Sequence, residues 1–232
     1  MIKNKLKTPF FALCSFCPVK ILKLLFTIDD KNRQVINNLA MIYERKYGTG
    51  RQIHPKHRLI SYHMFFISKI NQHENILDLG CGYGAVAFSI AQAIQGMVLG
   101  IDINPDYIAK AKAQFSLKNR QFEVGDGCHL AAMKGFETIV LSNVLEHIND
   151  RINFLKNCNK YIRPKRWLIR VPMKNRDWSV ALRDELGLYS YLDHDHKIEY
   201  TQDSFSREIQ AAGMTVKTLD VQWGEIWAEV LV

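Results

Sequence analysis

Asn75-Ile-Leu-Asp-Leu-Gly-Cys-Gly-Tyr-Gly84 decides the fold. Ile76 to Leu79 is a short apolar run bounded by a glycine-rich stretch, which predicts a buried strand ending in a turn. The apolar pattern from Ala85 to Ile94 predicts a helix directly after it. Gly80, Gly82 and Gly84 therefore stand where backbone can approach a ligand at a helix N-terminus. Their spacing does not choose the ligand, because with Ala85 they also satisfy G-x-G-x-x-A, the dinucleotide-binding pattern.

Asp78 supplies the choice. A carboxylate at the strand end would repel a pyrophosphate and attract an ammonium group, which favours a ligand with an amino acid moiety. Working outward, Met97 to Ile101 reads as a second strand, running into Gly100-Ile-Asp-Ile-Asn-Pro105. Asp102 then stands where an acid accepts both hydroxyls of a ribose. Asp126, in Val124-Gly-Asp-Gly127, ends a third strand over Gln121 to Val124 and is placed to accept an exocyclic adenine amine. Three acids and a glycine turn at successive strand ends describe a ribosylated adenine with a positively charged tail, which S-adenosylmethionine satisfies.

The rest of the chain repeats the alternation. A helix over Tyr107 to Phe115, and strands over Thr138 to Leu141 and Trp167 to Val171 with helices between them, indicate βα units on a parallel sheet. A helix from Asp203 to Ala212, capped by Asp203 or Thr201 and stopped by Gly213, precedes strands over Val216 to Gln222 and Ile226 to Leu231. Before the glycine motif, residues 32 to 47 and 56 to 70 read as helices separated by Gly48-Thr49-Gly50. The expected organisation is a basic helical extension over residues 1–73, covering the cofactor, and an α/β domain over 74–232.

The motifs resemble those of class I S-adenosylmethionine-dependent methyltransferases of the type 11/12 kind, with Leu77-Asp-Leu-Gly-Cys-Gly-Tyr-Gly84 matching their first motif. The resemblance implies a Rossmann-like, mostly parallel seven-stranded sheet with an antiparallel C-terminal hairpin. It also implies that Asp78 and the turn Gly80, Cys81, Gly82 and Gly84 hold the methionine end, Asp102 with Ile103 the ribose, and Asp126 with Gly127 the adenine. Thr138-Ile-Val-Leu-Ser-Asn-Val-Leu-Glu-His147 is similar to the family's fourth motif, which sets Ser142 and Asn143 near the methionine moiety.

On the acceptor side, His147 directly after the fourth strand is the first candidate for assisting loss of a hydroxyl proton, with Glu146 beside it. The plainer alternative is that the pair orients a loop or caps the next helix. Small-RNA 3′-end 2′-O-methyltransferases pair Glu-x-x-Glu-His with a later Asp-His-Lys-hydrophobic-Glu-aromatic segment to hold a divalent metal. This chain resembles them through Glu146, His147 and His196, but Asn143 stands where the first glutamate would be, so a metal is not the favoured expectation. His57, Arg58, Tyr62 and His63, just ahead of the first strand, and His196 further along are candidates for gripping the acceptor. With Trp223-Gly-Glu-Ile-Trp227 the first four resemble methyltransferases of surface-polysaccharide and glycolipid synthesis, which implies a small or lipid-linked acceptor.

Composition bounds the remainder. The 232 residues suffice for one α/β core with an extension, and 47% hydrophobic with 23% charged residues excludes a disordered or fibrous chain. Residues 1–73 carry 13 Lys/Arg against 3 Asp/Glu, while residues 74–232 carry 18 against 20, so the basic charge is concentrated N-terminally. That segment attracts polyanions, and residues 1–26, with Lys3, Lys5 and Lys7 ahead of a broken apolar run, are expected to touch an anionic membrane or to pack on their own domain. Nucleic acid is the less expected partner, because no stacking-aromatic motif or Arg-rich run is visible. Five cysteines with no cleavable leader pattern suggest a reducing cytoplasm, and Cys14 with Cys17 has no second pair to complete a zinc site. The competing classes are an RNA 2′-O-methyltransferase and a cofactor-binding protein without catalysis.

Overall fold

A computed structural model describes residues 18–48, 50, 54–129, 133 and 135–232. The chain forms two compact units, one from Met1–Lys56 with Ala181–Ser190, the other from His57–Val180 with Tyr191–Val232. Residues 57–73, expected with the basic extension, thus belong to the unit that carries the sheet.

In the smaller unit, helix α1 (Pro18–Tyr47) starts well before the expected residue 32. Its leading proline is tolerated because the first-turn N–H has no intrahelical acceptor. The Arg183 guanidinium pairs with Asp30 at 2.9 Å and Asp29 at 3.3 Å and covers the Phe26 ring at 4.3 Å. The Cys14–Cys17 pair and the apolar run before Pro18 lie outside the described residues. Among those residues no helix is long and apolar enough to cross a membrane.

The larger unit opens with α2 (Lys56–Leu59) and α3 (His63–Ile67), two short helices where the periodicity predicts one. Ser61, at φ +50°, breaks the helical path between them. In chain order there follow β1 (Ile76–Leu79), α4 (Ala85–Ala93), β2 (Val98–Asp102), α5 (Pro105–Gln114), β3 (Arg120–Val124), β4 (Thr138–Ser142), α6 (Arg151–Ile162), β5 (Arg166–Pro172), α7 (Trp178–Glu185), which from Ala181 belongs to the smaller unit, α8 (Gln202–Ala211), β6 (Thr215–Gln222) and β7 (Glu225–Leu231). The cap expected at Thr201 forms a full capping box with Ser204, and Gly213 stands at φ +81° beyond α8.

The seven strands lie in the order β3-β2-β1-β4-β5-β7-β6. The first five are parallel and β7 is antiparallel to both β5 and β6. Both faces of β1 and β4 are covered, which explains their unbroken apolar runs. Strand order reverses between β1 and β4, and a crevice at their carboxyl ends follows from that topology.

Candidate active site

The glycine turn is tied down by backbone. The Gly80 and Cys81 N–H groups both donate to Ile101 O, at 2.7 and 3.0 Å. Gly80 has φ +69°, and a Cβ there would meet Val144 Cγ2 at 2.5 Å. Gly84 has φ +78°, and its Cβ would meet the Phe122 ring at 2.2 Å. Left-handed backbone and close packing both demand glycine at these positions. Gly82 N–H donates to Asp102 Oδ2 at 2.8 Å, and Asn104 N–H to Oδ1 at 2.9 Å. Each oxygen of Asp102 thus has one lone pair engaged, which holds the carboxylate in a single orientation.

A cavity of about 590 Å³ opens beside this turn, within the range of small-ligand sites. Gly80, Asp102, Ile103, Asp126, Gly127 and His147 line it, gathered from the ends of β1, β2, β3 and β4. Asp126 is oriented by the Cys128 N–H at 2.8 Å. Residues that sequence reading missed complete the wall, chiefly Cys128, Phe154 and the amides Asn149, Asn153 and Asn157. The four-residue spacing of those asparagines sets Asn153 and Asn157 on one face of α6, a signal legible in the sequence.

Asp78, Cys81, Gly82, Gly84 and Asn143 are not among the lining residues. Asp78 is buried at 1% exposure, and burial, reinforced by Asp102, pushes its carboxyl up to about 8 although the Ala87 N–H supports the charged form. Its Oδ2 and the Asn143 Oδ1 have no partner among the described residues. Asn143 adopts φ +57° and donates its N–H to Arg170 O at 2.8 Å, while the Ser142 hydroxyl accepts from Arg170 Nη1 at 3.0 Å. Two buried acceptors without donors and a turn that a Cβ would fill suit a ligand with a cationic amino acid end.

Across the cavity, a 3₁₀ turn over Leu145–His147 places the acceptor-side candidates. Glu146 is fully buried, and no other described residue donates to its carboxylate. Burial pushes that carboxyl up to about 8. The His147 ring meets the His196 ring edge-on at 4.8 Å, and burial, then His196, holds His147 below the usual imidazole range. Glu199 accepts from His196 Nδ1 at 3.0 Å, and from Leu192 N–H and Arg176. Glu146, His147 and His196 bring ligand-type atoms within 4.8 Å of one another, a grouping that could hold a cation.

His57, Arg58, Tyr62 and His63, expected to line an acceptor pocket, do not line this cavity. His57 Nδ1 lies 2.7 Å from Tyr62 Oη and 2.9 Å from His63 Nε2, and His63 Nδ1 lies 2.7 Å from Ser89 Oγ. Tyr62 is 2% exposed beneath the Arg170 guanidinium, which sits 3.8 Å from its ring centre and pairs with Glu225. Burial pushes His63 down to about 4 and so keeps it neutral. His57, Tyr62 and His63 bond to one another, and His63 to Ser89 where α3 packs against α4, because polar atoms inside the unit must be satisfied, whereas Arg58 is exposed.

A family model described as a methyltransferase domain matches residues 50–219. The norajmaline N-methyltransferase of Rauvolfia serpentina is 26% identical over 111 residues, covering 46% of this chain and 38% of that protein. The ubiquinone biosynthesis O-methyltransferase of Hydrogenovibrio crunogenus is 24% identical over 180 residues, covering 73% of this chain and 72% of that protein. The magnesium protoporphyrin IX methyltransferase of Synechocystis PCC 6803, solved with bound S-adenosylhomocysteine, shares the fold at a TM-score of 0.60 and 14% identity, over 75% of this chain and 81% of that one. With the family's model spanning most of the sequence over this sheet, the chain belongs to the class I S-adenosylmethionine-dependent methyltransferases, and S-adenosylmethionine is its cofactor.

Proposed function

We propose that this enzyme methylates an oxygen of a small or lipid-linked acceptor, such as a glycan or glycolipid hydroxyl. The observation that carries the reading is His147, an imidazole on the wall of the cavity whose partial burial, and then His196, disfavour its charged form. A hydroxyl becomes a competent nucleophile as it loses its proton, and a neutral imidazole takes that proton at ordinary pH. The similarity to an O-methyltransferase over 73% of the chain supports oxygen as the acceptor atom.

Bound S-adenosylmethionine supplies an electrophilic methyl on a sulfonium, so the protein's part is mainly alignment. In this reading Asp102 accepts from the ribose hydroxyls with Ile103 beside it, Asp126 and Gly127 meet the adenine, and Asp78 with Asn143 compensates the amino acid end. Gly80, Cys81, Gly82 and Gly84 shape the turn against which that end lies. His147 accepts the acceptor's proton, while Glu199 fixes His196, which buttresses the His147 ring. The test is transfer of labelled methyl to matched hydroxyl and amine acceptors, including lipid-linked sugars. Transfer to amines alone would reject the oxygen assignment.

One observation favours a second reading, metal-assisted 2′-O-methylation of RNA: the grouping of Glu146, His147 and His196. Two buried carboxylate oxygens without donors beside two imidazoles fit a divalent cation; Glu146, His147 and His196 would hold it, and it would supply Lewis-acid help for loss of an acceptor hydroxyl's proton. In that case Glu146 ionises on loading, and Asn143 replaces a charge with a neutral carbonyl. Stoichiometric metal in the purified protein, loss of activity in chelator and steeply salt-sensitive RNA binding would establish it. No metal and chelator-resistant transfer would leave the first reading.

A further inference from the structure

Among the described residues, helix α1 makes its contacts within its own unit on one side and leaves an apolar stripe exposed on another. Phe26 and Asp30 engage Arg183, and Glu44 on the same side is buried. Another side carries Leu25, Ile28, Val35, Leu39 and Ile42, all between 45% and 58% exposed. Their steps of three, four and seven residues make a straight stripe along a helix about 45 Å long. With the flanking Leu24, Ile36, Tyr43 and Tyr47, also exposed, the stripe offers on the order of 800 Å², the area each partner contributes to a standard interface.

Asn32 identifies the occupant. It fills the one stripe position between Ile28 and Val35 that is not apolar, and it is exposed. A bilayer would leave its amide without a partner at the centre of the buried face. A second amide satisfies it, because each amide both donates and accepts. The stripe is also close to symmetric about this residue: Leu25 and Ile28 lie seven and four positions before it, Val35 and Leu39 three and seven after. Parallel pairing in register and antiparallel pairing about the midpoint both set Asn32 against its counterpart.

We propose that α1 is a self-association helix, through which two copies of this chain pair along the Leu25–Ile42 stripe with Asn32 facing the partner's Asn32. Polar pairing at a single seam position fixes register in such helix pairs. This inference is independent of the acceptor assigned above.

Sedimentation equilibrium of the full chain tests it. A dimer is expected, and Leu39→Glu should raise its dissociation constant at least about tenfold, as loss of a central interface hydrophobe does. Asn37→Glu, on the other side of the helix, should leave the dimer unchanged. Asn32→Cys should give an oxidised covalent dimer above the background of the native cysteines, and Asn37→Cys should not. Leu39 is exposed and glutamate is a good helix former, so helicity by circular dichroism will show that the variant still folds. A monomer at about 100 μM, which is weaker than any useful pairing, would overturn the proposal. So would a dimer indifferent to Leu39→Glu. Leu39-dependent binding of a monomer to phosphatidylglycerol vesicles would overturn it in favour of a membrane, and dimerisation only after removal of residues 1–17 would assign the stripe to the chain's own terminus.

Discussion

Replacing Asp78 by asparagine should strengthen the ligand-free protein as it weakens cofactor binding, and the pH dependence of the first effect is calculable. The Asp78 carboxyl goes from an unfolded value of 3.8 to about 8 on folding, chiefly through burial. Between those values the folded state keeps a proton that the unfolded chain has released, so stability falls as pH rises, by about 1.4 kcal/mol per pH unit. At pH 7 the accumulated cost is on the order of 4 kcal/mol. Asparagine does not titrate, but its amide in place of Oδ2 is a buried donor without a partner, which returns about 1–3 kcal/mol. The net gain at pH 7 is therefore about 2 kcal/mol. Urea unfolding at pH 5, 6 and 7, followed by tryptophan fluorescence, measures it; Trp167 in the sheet core is fully buried and reports on this unit. The difference between variant and wild type should grow by about 2.7 kcal/mol from pH 5 to pH 7, whatever the amide costs. Parallel stability profiles would refute the assignment of a folded-state proton to Asp78.

Four other outcomes follow from the same geometry. Binding of S-adenosylmethionine near pH 7 should release close to one proton as Asp78 ionises beside the ammonium, seen as a buffer-dependent calorimetric heat; equal heats in phosphate and Tris, corrected for dilution, would sink this idea. Gly80→Ala, which combines φ +69° with a 2.5 Å approach to Val144, should cost about 1–3 kcal/mol of stability and weaken S-adenosylhomocysteine binding. Asp102→Ala removes the acceptor for the Gly82 and Asn104 N–H groups as well as for the ribose, and affinity should fall by about one to two decades. His147→Ala should lower the transfer rate at saturating cofactor with little change in cofactor affinity; the opposite pattern would make His147 a structural residue.

The cofactor half of the site was legible because its determinants are local. Asp78 and the glycine turn are adjacent, Asp102 ends a strand whose apolar run announces it, and Asp126 sits in Gly125-Asp-Gly127 just past β3, where the glycines rather than an apolar run mark the strand end. A strand buried on both faces leaves such a run in the sequence, and a left-handed turn leaves glycine. α7 was missed, and the break at Ser61 carries no residue that requires a left-handed conformation.

What the tertiary structure alone decided are the meetings of residues far apart in the chain. Asp102 is locked by Gly82, twenty residues earlier, only because β1 and β2 are parallel neighbours. Fifty residues separate Glu146 from His196, and the loop fixed by Glu199 brings them together. His57, Tyr62 and His63 look like a ligand-gripping cluster in sequence, yet Ser89 and Arg170 satisfy them from elsewhere in the unit. The sequence by itself determined the sheet, the cofactor and the order of the acids, because those depend on neighbours along the chain. Which polar groups face the cavity and which satisfy one another depends on the packing of distant elements, and hydrogen-bond satisfaction in the folded interior settled that.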